Sequence, residues 1–266
     1  MIDIAFTRHE AHEADITVVI DVLRATSTIV QALDAGYEAV ICADGLARAR
    51  ALRGPGRVLA GERECRRPAD FDLGNSPRET MNQLGNELVL ATTNGAPSVV
   101  RAAELSSVVL IASLLNLEAT CVELEACVEL EAAAVQLLCS GTDDRPALED
   151  VYVAGRIVDR LGGPMSDAAL VARAVAHEYA NGLAALTASA DARALEAAGL
   201  GDDISWCARE SVTVTVPRVA SVHTTGSERH ARITDRAGRN SDPIDPIDAK
   251  PQTVRREYSS LSIDLP

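Results

Sequence analysis

Residues 16–30 read Ile-Thr-Val-Val-Ile-Asp-Val-Leu-Arg-Ala-Thr-Ser-Thr-Ile-Val, and this stretch constrains the fold more tightly than any other. A β-favouring run leads straight into Asp21. Arg24 and the hydroxyls Thr26, Ser27 and Thr28 follow, and then Ile29, Val30 and Leu33 recur at helical spacing. That order predicts a buried strand delivering a carboxylate at its C-terminal end, a short turn and a hydroxyl-capped helix. In open α/β sheets ligands bind beyond the carboxyl ends of the strands, and the unpaired N–H groups that open a helix suit an anion. Capping uses the same residue types, so Asp21 and Thr26 read equally well as plain caps of that helix.

Later strand ends repeat the theme. A first strand is expected within residues 1–8, a second over 37–42 and a third over 57–61, which ends in Glu62-Arg63. An Arg-rich surface helix over 45–52 is broken by Gly54-Pro55-Gly56. Residues 64–80, with Pro68, Phe71, Asp72, Gly74, Asn75, Ser76 and Pro77, lack periodicity. Long irregular segments in compact domains often carry function. Further strands are predicted over 87–92, 107–112 and 134–139, the first running into Thr93-Asn94-Gly95 and the last into Ser140-Gly141-Thr142. Helices are predicted through Glu104, over 115–132 (with the hexapeptide Cys-Val-Glu-Leu-Glu-Ala duplicated at 121–126 and 127–132), over 148–161 and, broken at Asn181-Gly182, over 166–198, and a last short strand over 212–216. The duplicated glutamates read as a solvated acidic face. Strands alternating with helices predict a three-layer α/β/α architecture with a mixed sheet, as one large domain or two small lobes. From residue 218 the composition shifts to Ser, Thr, Arg and Asp, and Asp-Pro-Ile repeats at 242–247, so a folded unit over 1–217 and a poorly packed tail over 218–266 are expected.

Composition narrows the partners. With 47% hydrophobic but only 3% aromatic residues, the core must be built from Val, Leu, Ile and Ala. Twenty-five basic against 39 acidic residues give a net charge of −14, which argues against nucleic acid or an anionic membrane surface. A bound phosphate must then be held by local arginines, N–H groups or a metal. The six cysteines form no Cys-x-x-Cys pair, no secretory leader is evident and no apolar run reaches the roughly 18 residues of a membrane span, so a cytoplasmic protein with reduced thiols is expected. A homodimer is among the assemblies this allows. His9 and His12 have metal-ligand spacing but no partner cluster.

Five positions offer matched chemistry: Asp21 with Arg24, Glu62 with Arg63, the turn Thr92-Thr93-Asn94-Gly95, the turn Ser140-Gly141-Thr142, and Glu149-Asp150 at a helix start, with Asp72 nearby in sequence to the second. Brought together, they could hold a hard divalent cation and a multiply charged anion at once. Mg²⁺ takes one or two carboxylates plus water and phosphate oxygens, and arginine binds phosphate or sulfonate bidentately. Gly95 and Gly141 would let backbone N–H groups approach an oxyanion. Other mechanisms fit less well. An aspartyl-nucleophile motif, Asp-x-Asp after a hydrophobic strand, fails because Leu23 stands where the second Asp belongs. No Gly-x-Gly-x-x-Gly follows a strand, and no phosphate loop with lysine exists, since the only lysine is Lys250. Cys139 and Arg145 have the spacing of a cysteine phosphatase loop, but Asp143 and Asp144 would repel a dianion there and no cation is in place to lower the thiol pKa. The plain reading is a buried cysteine ending a strand.

The phrases IDVLRATSTIVQAL (20–33), AGERECRRPADFDLGNSP (60–77), LATTNGAPSV (90–99), ASLLNLEA (112–119), CSGT (139–142), LEDVYVAG (148–155) and DDISWCARE (202–210) occur in order over residues 16–217. Together they resemble the 2-phosphosulfolactate phosphatase family. The resemblance implies an unusual α/β fold and a Mg²⁺-dependent acid phosphatase that converts (R)-2-phospho-3-sulfolactate to 3-sulfolactate and phosphate, a step of coenzyme M biosynthesis. It implies Asp21, Arg24, Glu62, Arg63 and Asp72 as catalytic positions, Asp21, Glu149 and Asp150 as metal positions, and Thr26, Ser27, Asn75, Ser76, Thr93, Asn94, Gly95, Ser140 and Gly141 as substrate-binding positions. The stretch after residue 218 and the duplication at 121–132 depart from the family pattern, and the acid after the Cys207 motif is Glu210 here. The alternatives are a metal-independent cysteine phosphatase using Cys139 and Arg145, and a non-catalytic binder of small acids.

Overall fold

A computed structural model describes the chain at residues 1–131, 133–225 and 228–235. Among these, one mixed sheet contains β1 (Ile2–Ala5), β2 (Ala14–Ile20), β3 (Ala39–Ala43), β4 (Arg57–Gly61), β5 (Glu87–Ala91), β6 (Ser106–Ala112), β7 (Val135–Cys139), β8 (Pro217–Thr225) and β9 (Glu228–Asp235). Their order across the sheet is β1-β7-β2-β6-β8-β9-β3-β5-β4. The helices are α1 (Ala25–Asp34), α2 (Leu46–Ala51), α3 (Pro77–Thr80), α4 (Gly95–Leu105), α5 (Leu117–Glu131), α6 (Leu148–Leu161), α7 (Asp167–Glu178), α8 (Gly182–Ala188), α9 (Ala190–Ala197) and α10 (Asp202–Cys207). None among the described residues is long and apolar enough to cross a membrane.

The unbroken apolar run of β2 follows from burial on both faces. Ile16, Val18 and Ile20 enter a core shared with α5–α10, while Val19 points the other way into a core shared with α1 and α4. A third cluster, with Ile41, Leu59, Val89 and Phe71, sits beneath α2. These are the three layers expected. The predicted bounds 57–61 and 148–161 match β4 and α6 residue for residue.

Strand direction reverses across the sheet, as a mixed sheet requires. β1, β7, β2 and β6 run parallel, as do β3, β5 and β4, but the pairings β6–β8, β8–β9 and β9–β3 are antiparallel. Three reversals would put the carboxyl ends of the two groups on opposite edges of a flat sheet. Real sheets twist by roughly 20–25° per strand pair, which over the steps from β2 to β5 comes to roughly 100–125°. The two sets of ends do meet: a Cβ on Gly95, just after β5, would lie 2.5 Å from Asp21 Oδ2, just after β2.

The expected tail is corrected in part. Residues 218–225 and 228–235 lie in the β8–β9 hairpin, which fills the middle of the sheet and buries Ala231 and Ile233. Residues 212–216 are not a strand; the N–H groups of Val212 and Thr213 donate to the Leu115 carbonyl instead. The Asp-Pro-Ile repeat and Lys250 lie outside the described residues. So do the side chains of 128–132, in the second copy of the duplicated hexapeptide. In the first copy Cys121 and Leu124 are core, while Glu125, like Glu118 before it, pairs with Arg160.

The packing of α6 on α7 depends on Gly155, where an added Cβ would come within 2.0 Å of the Ala172 carbonyl oxygen. Overpacking of this kind costs about 1–3 kcal/mol, more than alanine's helix preference of about 1 kcal/mol returns. Gly155→Ala is therefore expected to lower the urea midpoint without changing the slope.

Candidate active site

The turn after β2 is built by its own side chains. The Thr26 hydroxyl donates to the Asp21 carbonyl (2.8 Å) and accepts from the Asp21 N–H (3.1 Å), and Ser27 Oγ donates to the Val22 carbonyl (2.8 Å). Both residues are fully buried. They shape the turn and stand outside the cavity lining. Asp21 is both cap and cavity residue: its Oδ1 accepts the Ala25 N–H (3.0 Å), while Oδ2 lies beside Gly95.

Arg24 follows, 3% exposed, and donates to Asp203 Oδ2 at 2.7 Å. The other Asp203 oxygen accepts from Ser76 Oγ at 2.7 Å. Ser76 therefore fixes the counter-ion of Arg24. Asp72 is corrected more fully. It lies outside the cavity, accepting the Leu59 N–H (2.8 Å) and facing Arg53 (3.8 Å). A carboxylate in a long loop has tethering as well as catalytic uses, and here it tethers.

At the end of β4, Glu62 is a brace. Its Oε1 accepts from the N–H (2.8 Å) and hydroxyl (2.9 Å) of Thr93, and its Oε2 accepts from the Cys65 N–H (3.1 Å). Arg63 donates to the Glu62 carbonyl (2.7 Å). Arg8 donates to Thr93 O and Asn94 Oδ1, so the 93–95 turn is held from two sides. At the end of β7, Asp150 accepts from Val22 N–H (2.9 Å) with one oxygen and Gly141 N–H (3.2 Å) with the other, joining the ends of β2 and β7. The Gly141 N–H is thus committed to Asp150 and forms no free oxyanion nest. Gly141 itself is required, because it has φ +65° and a Cβ would lie 2.5 Å from Arg145 O.

These elements enclose a cavity of about 510 Å³. Asp21, Arg24, Glu62, Arg63, Asn75, Thr93, Asn94, Gly141, Glu149 and Asp150 line it, with Thr26, Ser27, Ser76, Gly95 and Ser140 outside its lining. Sequence reasoning missed Asp191 and Asp203, whereas Thr142 belongs to the 140–142 turn that it singled out. Asp203 lies inside a family-like phrase, whereas Asp191 sits in an Ala-rich helical stretch two residues after Ser189, where an acid looks like ordinary helix-start chemistry.

Seven carboxylates (Asp21, Glu62, Glu64, Asp143, Glu149, Asp150 and Asp191) face two guanidiniums, Arg24 and Arg63, across this cavity. Burial first, and then the charges of Asp191 and Glu62, push the Asp21 carboxyl up to about 7 against the pull of the Ala25 N–H. Burial and neighbouring acids likewise hold Glu149 and Asp150 well above the ordinary carboxylate range. Asn75 Oδ1 and Glu149 Oε2 are buried without a hydrogen-bond partner. Among the described residues no three His, Cys, Asp or Glu side chains enclose an ion by themselves. Asp21 and Glu149 nonetheless suit Mg²⁺, which needs only one or two carboxylates beside water and substrate oxygens. Asp150, with each oxygen on a backbone N–H, suits it less. Cys139 is fully buried, burial pushes its thiol well up, and Arg145 is exposed, so no cysteine phosphatase cradle forms.

The family described as 2-phosphosulpholactate phosphatase matches residues 4–221. A Thermus thermophilus protein named probable 2-phosphosulfolactate phosphatase is 39% identical over 222 residues, covering 81% of this chain and 92% of that relative. One from Deinococcus radiodurans with the same name is 35% identical, covering 78% and 89%. The 2-phosphosulfolactate phosphatase of Methanothermobacter thermautotrophicus is 32% identical, covering 81% and 91%. With matched motifs, fold and cavity in agreement, the chain belongs to the 2-phosphosulfolactate phosphatase family.

Proposed function

We propose that this chain is a Mg²⁺-dependent phosphatase that hydrolyses 2-phosphosulfolactate to sulfolactate and phosphate, the reaction that supplies coenzyme M assembly, in the cytoplasm. The observation that carries the reading is the convergence of seven carboxylates and two arginines on one cavity in a member of this family. A substrate bearing phosphate, carboxylate and sulfonate suits the arginines, but it can enter an acidic cavity only if a cation offsets the carboxylates.

Asp21 and Glu149 would hold the cation. When bound, Mg²⁺ supplies Lewis-acid neutralisation of phosphoryl oxygens. Arg24, locked by Asp203, and Arg63 grip acidic groups of the substrate. Glu62 fixes Thr93, and Asp150 fixes the ends of β2 and β7, so the polar groups stand ready before substrate arrives. Preorganisation of this kind is usually the largest catalytic term. Water then attacks the phosphorus in line with the leaving oxygen.

Phosphate release from 2-phosphosulfolactate tests the reading. Turnover is expected to vanish with EDTA, return with Mg²⁺ and survive in Cys139→Ser. Turnover indifferent to EDTA but lost in Cys139→Ser would establish the cysteine mechanism. Saturable sulfolactate binding without turnover of any small phosphoester would establish a binding protein.

A further inference from the structure

Four acidic side chains are buried among the described residues: Glu62, Glu149, Asp150 and Asp203. Three have both oxygens answered. Glu62 takes Thr93 and Cys65, Asp150 takes Val22 and Gly141, and Asp203 takes Arg24 and Ser76. Glu149 is the exception: it is 1% exposed and no donor reaches its Oε2. A buried carboxylate left this way is costly unless something positive meets it.

Its neighbour makes the need sharper. Glu149 and Asp191, a second carboxylate, line the same two cavities, and burial, with the Asp191 charge adding to it, pushes the Glu149 carboxyl up. Where both are ionised they are acceptors only, so either a cation or a shared proton between them relieves the repulsion. Thr142 Oγ1 donates to Asp191 Oδ2 at 2.6 Å and fixes that side chain. The pair also borders a second cavity of about 620 Å³, next to the first and walled in part by Thr142, Ser189 and Arg193. This space gives a hydrated ion its own approach to the pair.

We propose that Glu149 and Asp191 form a second divalent-cation site behind the cavity, so that the chain binds two cations, one toward Asp21 and one between this pair. The donors are all carboxylate oxygens, which select hard ions such as Mg²⁺ or Mn²⁺. Electrostatics point the same way, because one divalent ion leaves most of seven carboxylates facing a multiply anionic ester. Paired cations are a recurrent arrangement for in-line phosphoryl displacement. The site extends the proposed magnesium dependence and assigns a role to Asp191.

Mn²⁺ is the probe. Calorimetric titration of the metal-stripped full chain is expected to give two ions per chain, with an electron paramagnetic resonance spectrum showing spin coupling between them. Asp191→Asn, nearly the same shape, is expected to bind one ion with an uncoupled spectrum and to keep the circular dichroism of the parent. Thr142→Val leaves the carboxylates in place, so it guards against misfolding of the first variant, and is expected to weaken the second ion by about 10–100-fold. One ion in the parent, as a proton shared by the pair would give, overturns the second site and leaves the phosphatase reading standing. Two ions in Asp191→Asn also overturns it. No binding in the parent removes the magnesium reading with it.

Discussion

Replacing Asp21 by asparagine is expected to lower turnover by about 10²–10³-fold, the scale of losing one preorganised charge-stabilising group, while making the metal-free protein more stable. Asparagine keeps an oxygen for the Ala25 N–H, so the turn survives. What it removes is an acid whose carboxyl is pushed up to about 7 by burial and by Asp191 and Glu62. The unfolded chain ionises this acid near 3.8 and the folded chain only near 7, so between these values the unfolded state sheds its proton first. Stability therefore falls as pH rises through that window, and the loss is complete above it. Thermal melts without divalent ions should show a shallower fall between pH 4 and pH 7 in Asp21→Asn than in the parent, and a higher Tm at pH 8. Mg²⁺, which binds the ionised carboxylate, should stabilise the parent more at pH 8 than at pH 5. Equal activity in the two proteins would remove Asp21 from the chemistry.

Asp203→Ala is expected to be the most destabilising single change near the site. It leaves Arg24, 3% exposed, as an uncompensated buried charge and strips the partner of Ser76 Oγ. Breaking a buried pair from one side costs about 3–5 kcal/mol. At roughly 2–4 °C per kcal/mol, that is roughly 6–20 °C in Tm. Ser76→Ala, which removes a single hydrogen bond, should cost about 1 kcal/mol. If Arg24 grips the substrate, Ser76→Ala should also raise KM more than it lowers kcat. A Tm within a degree of the parent for Asp203→Ala would show that the pair is not what holds Arg24.

How far the sequence reveals this site differs from element to element. β4 and α6 were readable to the residue because their apolar spacing and boundary residues agree. The β8–β9 hairpin was not. Its buried Ala231 and Ile233 do alternate with His230 and Arg232, but a strand among polar neighbours needs its partners to be recognised, and these are β6 and β3, distant in sequence. The reversal of strand direction it causes is equally nonlocal. At the site, the charged residues at strand ends fall on the cavity lining, where Glu62 and Asp150 also brace the turns. Hydroxyls were less legible: Thr26, Ser27 and Ser76 look like anion ligands in sequence, and each is consumed by a neighbouring carbonyl or carboxylate. Asp72 lies off the cavity and Asp191 on it for the same reason, since only the packing of the 64–80 loop and of α9 decides which acid turns inward.

Crystals of the chain grown with Mg²⁺ and sulfolactate give the most direct test. The account predicts a metal bonded to Asp21 at about 2.0–2.1 Å, with the acidic groups of sulfolactate against Arg24 and Arg63. The absence of any metal at Asp21, or sulfolactate seated over Cys139 and Arg145, would contradict it.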